Sequence, residues 1–110
     1  AFTTDTSIIT SIGNDYSFEK IFERQCESLV VKGDVVLAIS TSGASKNVLY
    51  GVKMAKKNGA KIISLTGNRK TPLTKISDIS IQIPSNSTPR IQEVHRLILH
   101  LICHSVEQDF

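Results

Sequence analysis

Four hydroxyl side chains and a glycine fall within six residues, Ser40-Thr41-Ser42-Gly43-Ala44-Ser45, directly after the apolar run Val35-Val36-Leu37-Ala38-Ile39. A run that short and that continuously apolar predicts a strand buried on both faces, as in a parallel sheet covered by helices. A helical pattern follows the serines at once. A strand that runs into a hydroxyl-rich turn at a helix N-terminus is an anion site. Backbone N–H groups and the positive end of the helix dipole point outward there, and the hydroxyls add donors. The plainer reading makes Ser42 or Ser45 an N-cap, but four hydroxyls exceed what a cap requires. The lysine-containing phosphate-loop pattern and the dinucleotide glycine pattern are both absent, which disfavours nucleoside triphosphates and NAD. The expected ligand is a small phosphorylated molecule.

Three histidines, His95, His100 and His104, share the last helical pattern, with Gln92 and Glu93 near its start. His100 and His104 are separated by about 40° of helix rotation and share a face, a spacing open to a two-ligand metal pair. Against that, His104 stands near a fraying end, where plain exposure is expected. His100 sits among Leu97, Ile98, Leu99, Leu101 and Ile102, company that predicts a hydrogen-bonded core histidine or one placed for acid–base work. No nucleophile arrangement accompanies them.

The elements that must position these residues come from a chain of 110 residues, enough for one domain with a modest core. Its 40% hydrophobic and 21% charged content is that of an ordinary globular chain. The net charge of +3 is spread out, apart from Lys53, Lys56 and Lys57 on one helix and Arg69-Lys70 in a loop. Nucleic-acid binding calls for a denser basic stripe and more stacking rings than two Tyr and four Phe supply, so no nucleic-acid partner is expected. Cys26 and Cys103 fit no zinc or redox spacing and predict two buried, reduced thiols in a cytoplasmic protein. No apolar run approaches membrane-spanning length and no signal-peptide pattern is present, so no membrane association is expected. The first residue is Ala, inside what reads as an element, which suggests a fragment.

Taken in order, Ala1–Thr4 reads as the tail of a strand and Ile8, Ile9 and Ile12 as a short helix, broken by Gly13-Asn14-Asp15. Ser17 can cap a helix from about Phe18 to Val30. After the serine turn, a helix from about Ser45 to Asn58 directs Val48, Leu49, Val52 and Ala55 inward, and Asn58-Gly59 predicts a left-handed C-cap. Lys61–Thr66 is a second, mostly apolar strand. The loop Arg69–Lys75, with Pro72, has room for one helical turn. In the third strand, Ile76–Ile83, Ile79, Ile81 and Ile83 alternate with Ser80 and Gln82, the pattern of a strand at the sheet margin. Thr88-Pro89 opens a helix that runs to about Gln108, with Ile91, Val94, Leu97, Ile98, Leu101 and Ile102 forming a broad buried face. The succession implies parallel pairing, with ligands at the carboxyl ends of strands.

Gly13-Asn14-Asp15, Gly33-Asp34 followed by the strand and Ser40–Ser45, Ser64-Leu65-Thr66-Gly67, and Arg90-Ile91-Gln92-Glu93-Val94-His95 with His100 beyond occur together, over essentially all 110 residues. In that order and spacing the chain resembles the sugar isomerase (SIS) domain family and, within it, the sedoheptulose 7-phosphate (phosphoheptose) isomerases. The resemblance implies an α/β, flavodoxin-like parallel sheet with helices on both faces, residues 1–110 being a partial SIS domain whose first strand and N-terminal helices are missing. It implies a cytoplasmic homotetramer with active sites between subunits. Ser40, Thr41, Ser42 and Ser45 match the sugar-phosphate loop, and Asn14 and Asp15 match substrate contacts. Gln92 and His100 match positions that bind zinc, and Gln92 also faces substrate. His100 further matches the proposed acid–base histidine. A family member also carries an Asn-Gly-Gly-Ser turn and a helix with a metal-binding His and a catalytic Glu. Those would lie upstream of Ala1, so this polypeptide by itself would be inactive. Pro89 replaces an Asp often found before Arg-Ile-Gln-Glu, and Ala44 replaces a common Asn.

The implied chemistry is interconversion of sedoheptulose 7-phosphate and an aldoheptose 7-phosphate through an enediol, in lipopolysaccharide or other glycan synthesis. A base removes the proton next to the carbonyl, an acid serves the oxygens, and zinc polarises the carbonyl or organises the site. The alternatives are a non-catalytic SIS protein that binds a phosphosugar or a replication-initiator partner, and a sugar-phosphate sensor. His100 separates them, since the partner-binding relatives are expected to carry a residue such as Asn there.

Overall fold

The computed structural model describes residues 20–109; the expected strand at Ala1–Thr4, the helix around Ile8–Ile12, and Asn14 and Asp15 lie outside the described residues. Seven elements follow one another: α1 (Ile21–Leu29), β1 (Val35–Ile39), α2 (Lys46–Lys57), β2 (Lys61–Thr66), α3 (Pro72–Ile76), β3 (Ile79–Gln82) and α4 (Thr88–Asp109). The three strands form one sheet in the order β1-β2-β3, and both pairings are parallel. Val35 to Ile39 pair in step with Lys61 to Leu65, and Ile63 to Thr66 with Ile79 to Gln82. In-step parallel register brings the strands' carboxyl ends to one side of the domain, where the loops after β1, β2 and β3 gather.

The core follows the period-2 logic of a pleated strand. Ala38 and Ile62 join Cys26 and Val30 from the α1 end, Val52 and Ala55 from α2, and Leu73 from α3 in one apolar cluster, with Val36, Val48 and Leu49 packed at its border. Leu65, also fully buried, alternates to the opposite face of β2, the side packed by α4. Helices therefore lie on both faces of the sheet, as the pattern requires. Asn58 closes α2 and Gly59 takes φ 92, the left-handed conformation that ends a helix at little cost when no Cβ is present. In the Arg69–Lys75 loop, Thr71 and Thr74 form a reciprocal capping box around Pro72, so the single expected turn is a complete short helix.

Several expectations are corrected. β1 is not buried on both faces: Val35 is 62% exposed and Ile39 39%. Val35, Leu37 and Ile39 share the face opposite Ala38, and among the described residues α4 packs on β2 and leaves that face of β1 partly open. The third strand starts at Ile79 rather than Ile76, because Pro72–Ile76 is helical and Ser77-Asp78 turns the chain. The broad buried face of α4 is reduced to Ile91 and His95. Leu97 and Leu101 are each 58% exposed, because α4 meets the sheet only near its start. Cys103 is exposed, whereas Cys26 is buried as expected and burial pushes its thiol up to about 11, making it unreactive. β3 lies at the sheet margin, as its alternation requires.

Candidate functional site

The serine turn occupies the carboxyl end of β1, between that strand and the N-terminus of α2. Ser40 is its hub. Its side chain is buried, and its Oγ accepts the Gly43 N–H at 3.0 Å while lying 3.0 Å from Ser45 Oγ and 3.5 Å from Ser42 Oγ. The Gly43 N–H also reaches the Ser40 carbonyl at 3.1 Å, which closes a tight turn. Gly43 makes that closure possible with φ 65, and a Cβ there would collide with the Thr71 hydroxyl. Leu73 N–H donates to the Gly43 carbonyl at 3.2 Å, so α3 holds the turn from behind.

Ser45 occupies the N-cap position of α2, yet its side chain makes no cap hydrogen bond and turns to Ser40 instead. The capping reading is therefore set aside for Ser45. Among the described residues, the N–H groups of Thr41, Ser42 and Ser45 make no hydrogen bond, and these three residues lie at least partly open to solvent. Unmatched amides, grouped hydroxyls and a helix N-terminus on one concave surface favour an anion for three additive reasons.

That surface is one wall of an open cleft of about 760 Å³. Thr41, Ser42 and Ser45 line it together with Asn68, Arg69 and Asn86. Asn68 Nδ2 donates to Asn86 Oδ1 at 2.7 Å, tying the loop after β2 to the loop after β3. Arg69 adds a fixed positive charge to a cleft whose serine turn already favours an anion. Sequence reasoning missed these loop residues as part of the site. Their signal was positional: both loops follow strands whose carboxyl ends adjoin that of β1.

The helix residues are placed differently. Thr88 and Ile91 reach the cleft, but Gln92 and His100 are not among its lining residues. Both are exposed on α4, eight residues apart, which is about 12 Å along the axis. The expectation that His100 is a core histidine is corrected; the exposed apolar neighbours on α4 leave it open to solvent. His104 is exposed, as its position near the helix end implied, with Gln108 Nε2 3.1 Å from its Nε2. The buried histidine is His95, 3% exposed, whose Nε2 lies 2.9 Å from the Thr66 carbonyl. Its spacing of four from Ile91 could have revealed it as the polar member of the covered face. Among the described residues no three His, Cys, Asp or Glu side chains gather where a metal could sit. Gln92 and His100 alone do not make a zinc centre.

A parallel α/β sheet with a hydroxyl-rich turn between strand and helix defines a class of domains whose candidate ligand sites lie at strand carboxyl ends. Within that class the chain belongs to the SIS-domain family, whose model matches residues 9–98. A phosphoheptose isomerase of Aliarcobacter butzleri is 48% identical over 109 residues, covering 99% of this chain and 58% of that protein. The structure of a phosphoheptose isomerase from Francisella tularensis superposes with a TM-score of 0.93 at 39% identity, over 98% of this chain and 58% of that one. The structure of phosphoheptose isomerase from Neisseria gonorrhoeae gives 0.93 at 40% identity, over 98% and 60%. The chain thus spans less than two thirds of the length of the relatives it matches. Among the described residues no helix is long and apolar enough to cross a membrane.

Proposed function

We propose that this chain is the sugar-phosphate-holding part of a cytoplasmic aldose–ketose isomerase that interconverts sedoheptulose 7-phosphate and an aldoheptose 7-phosphate. The observation that carries this reading is the serine turn, with Ser40 as an internal hub and the amides of Thr41, Ser42 and Ser45 left for a ligand. The phosphoryl group would sit against those amides and hydroxyls, with Arg69 adding charge from the same cleft. Relatives named phosphoheptose isomerase at nearly half identity support the choice of substrate.

In this reading the phosphate turn anchors the sugar and leaves its carbonyl end to the chemistry. His100 is the acid that serves the two oxygens of the enediol as the proton moves between adjacent carbons. Gln92 orients the hydroxyls, and Asn14 and Asp15 contribute further substrate contacts. The base comes from another part of the whole protein. From Thr88, at the cleft, to His100 the helix advances about 18 Å, further than a single sugar chain spans from a held phosphate. That distance favours active sites completed between subunits, and the exposed Leu97, Leu101 and Val106 favour burial of α4 in a homotetramer. Zinc enters this reading only if further ligands join Gln92 and His100 from outside the described residues.

The test is turnover of sedoheptulose 7-phosphate by the whole protein, followed by NMR of the product. His100→Ala is expected to lower kcat by roughly 10²–10⁴-fold while inorganic phosphate binds as before. Full turnover in that variant removes His100 from the chemistry, and a wild-type protein inert toward the sugar phosphate overturns the reading.

A further inference from the structure

Of the residues in α4, only Ile91 and His95 are buried, one turn apart on the same face. Ile91 packs against Gly67, where its Cδ1 would stand 3.3 Å from an added Cβ. The directional contact belongs to His95. Its Nε2 lies 2.9 Å from the Thr66 carbonyl oxygen, which also accepts the Ile83 N–H at 3.1 Å. A carbonyl only accepts, so the hydrogen must sit on Nε2. In the neutral ring Nδ1 is then a bare acceptor, buried and without a partner among the described residues.

An orphaned buried nitrogen costs stability, and an apolar side chain of similar size would fill the same space without that cost. What histidine supplies and an apolar residue cannot is the bond to Thr66. The bond lies at a junction. Thr66 ends β2, the next residue, Gly67, donates its N–H to the Thr41 carbonyl at 3.1 Å, and Thr41 belongs to the serine turn. Movement of α4 would therefore pull on the Thr66–Gly67 peptide and, through it, on the turn.

We infer that His95 is a positioning residue that fixes α4, with Gln92 and His100, relative to the anion-binding turn. The inference rests on the proposed roles of that turn and that helix. It assigns His95 no contact with substrate. Its work is to hold the helix that carries the acid in one relation to the sheet and its turn, so that the acid is correctly placed in a site completed between subunits.

Two substitutions in the whole protein separate this from simple core filling. His95→Phe fills the volume without a donor, and His95→Gln keeps an amide N–H that can reach Thr66. His95→Phe is expected to lower kcat roughly 10- to 100-fold, the scale of a small misplacement of a reacting group, with KM and inorganic phosphate affinity little changed. His95→Gln should recover most of that loss. Hydrogen-exchange mass spectrometry with added inorganic phosphate supplies a readout independent of turnover. Phosphate should slow exchange in both the turn and the first half of α4 in the wild type and His95→Gln, but in the turn alone in His95→Phe. Wild-type kcat and a wild-type α4 response in His95→Phe would overturn the inference. So would a His95→Gln protein no better than His95→Phe, failure of both variants to fold, or a wild-type α4 that ignores phosphate. A wild-type protein that turns over no sugar phosphate sinks the isomerase reading, and the exchange result still decides the coupling.

Discussion

The two ends of the sheet are built from similar polar residues and use them in opposite ways. At the amino end the side chains of Asp34, Asn58 and Asp78 are turned on the backbone. Asp34 accepts the Val31 N–H with its carboxylate at 3.0 Å and the Lys61 N–H with its carbonyl at 2.9 Å. Asn58 Nδ2 donates to the Cys26 and Val30 carbonyls at 3.2 and 3.1 Å, and Asp78 accepts the Ile62 N–H at 2.8 Å. At the carboxyl end the hydroxyls of Ser40, Ser42 and Ser45 face one another, and neighbouring amides are left over. One end is closed and the other open. Buried or half-buried polar groups are normally matched within the protein, so the amides left over at the open end are the ones the proposed ligand would use.

The largest effect that would sharpen this contrast is expected at Gly43. An alanine there must hold φ 65 and displace the Thr71 hydroxyl, which belongs to the capping box of α3. Gly43→Ala should destabilise the protein by about 2–3 kcal/mol, from backbone strain plus the displaced cap. It should also reduce inorganic phosphate affinity at least about tenfold, because the turn opens and its amides no longer converge. Calorimetric unfolding and phosphate titration measure the two effects. Unchanged phosphate affinity would break the contrast, since the turn's shape would then be irrelevant to what it holds.

At the closed end, Asn58→Ala removes two hydrogen bonds that join the end of α2 to the end of α1. The site is half-buried, so water replaces part of the loss, and the expected cost is about 1–2 kcal/mol. Phosphate affinity should not move. A fall in affinity as large as that of Gly43→Ala would show that the two ends are not independent.

Much of this arrangement is legible in the residues themselves, for local reasons. The strand and turn at Val35–Ser45, the left-handed stop at Asn58-Gly59 and the turn around Pro72 each depend on neighbours within a few positions. The alternation of Ile79, Ile81 and Ile83 with Ser80 and Gln82 places β3 at the margin because each strand face reads separately. What is not legible is non-local. Nothing near Gly43 announces Thr71, and nothing near Asn68 announces Asn86. The apolar period of α4 states that a face is to be covered but not by what, which is why Leu97 and Leu101 are read as core and found exposed. The bond His95 makes is hidden for the related reason that its partner is a backbone carbonyl, and a carbonyl carries no residue type to read.

The smallest effect, and the one that tests the closed end without touching its packing, belongs to Asp78. The Ile62 N–H it accepts is the main reason its carboxyl titrates below the ordinary range; desolvation opposes it, and attraction to Lys56 and Lys61 adds to the lowering. A carboxylate with a depressed pKa in the folded state stabilises the protein fully above its unfolded value, about 3.9, and that contribution fades as pH falls through the folded value. The wild type should therefore lose part of its Tm between about pH 4 and the lower folded pKa, and Asp78→Asn should show a flatter acid limb over that window. The group is fully exposed, so the difference will be small and reduced further by salt. Because Asp78 stands at the amino end of β3, phosphate affinity at neutral pH should be the same in both proteins. Identical acid limbs in the two would mean that the Ile62 contact contributes nothing to the folded state, and that this end is closed in geometry without being closed in energy.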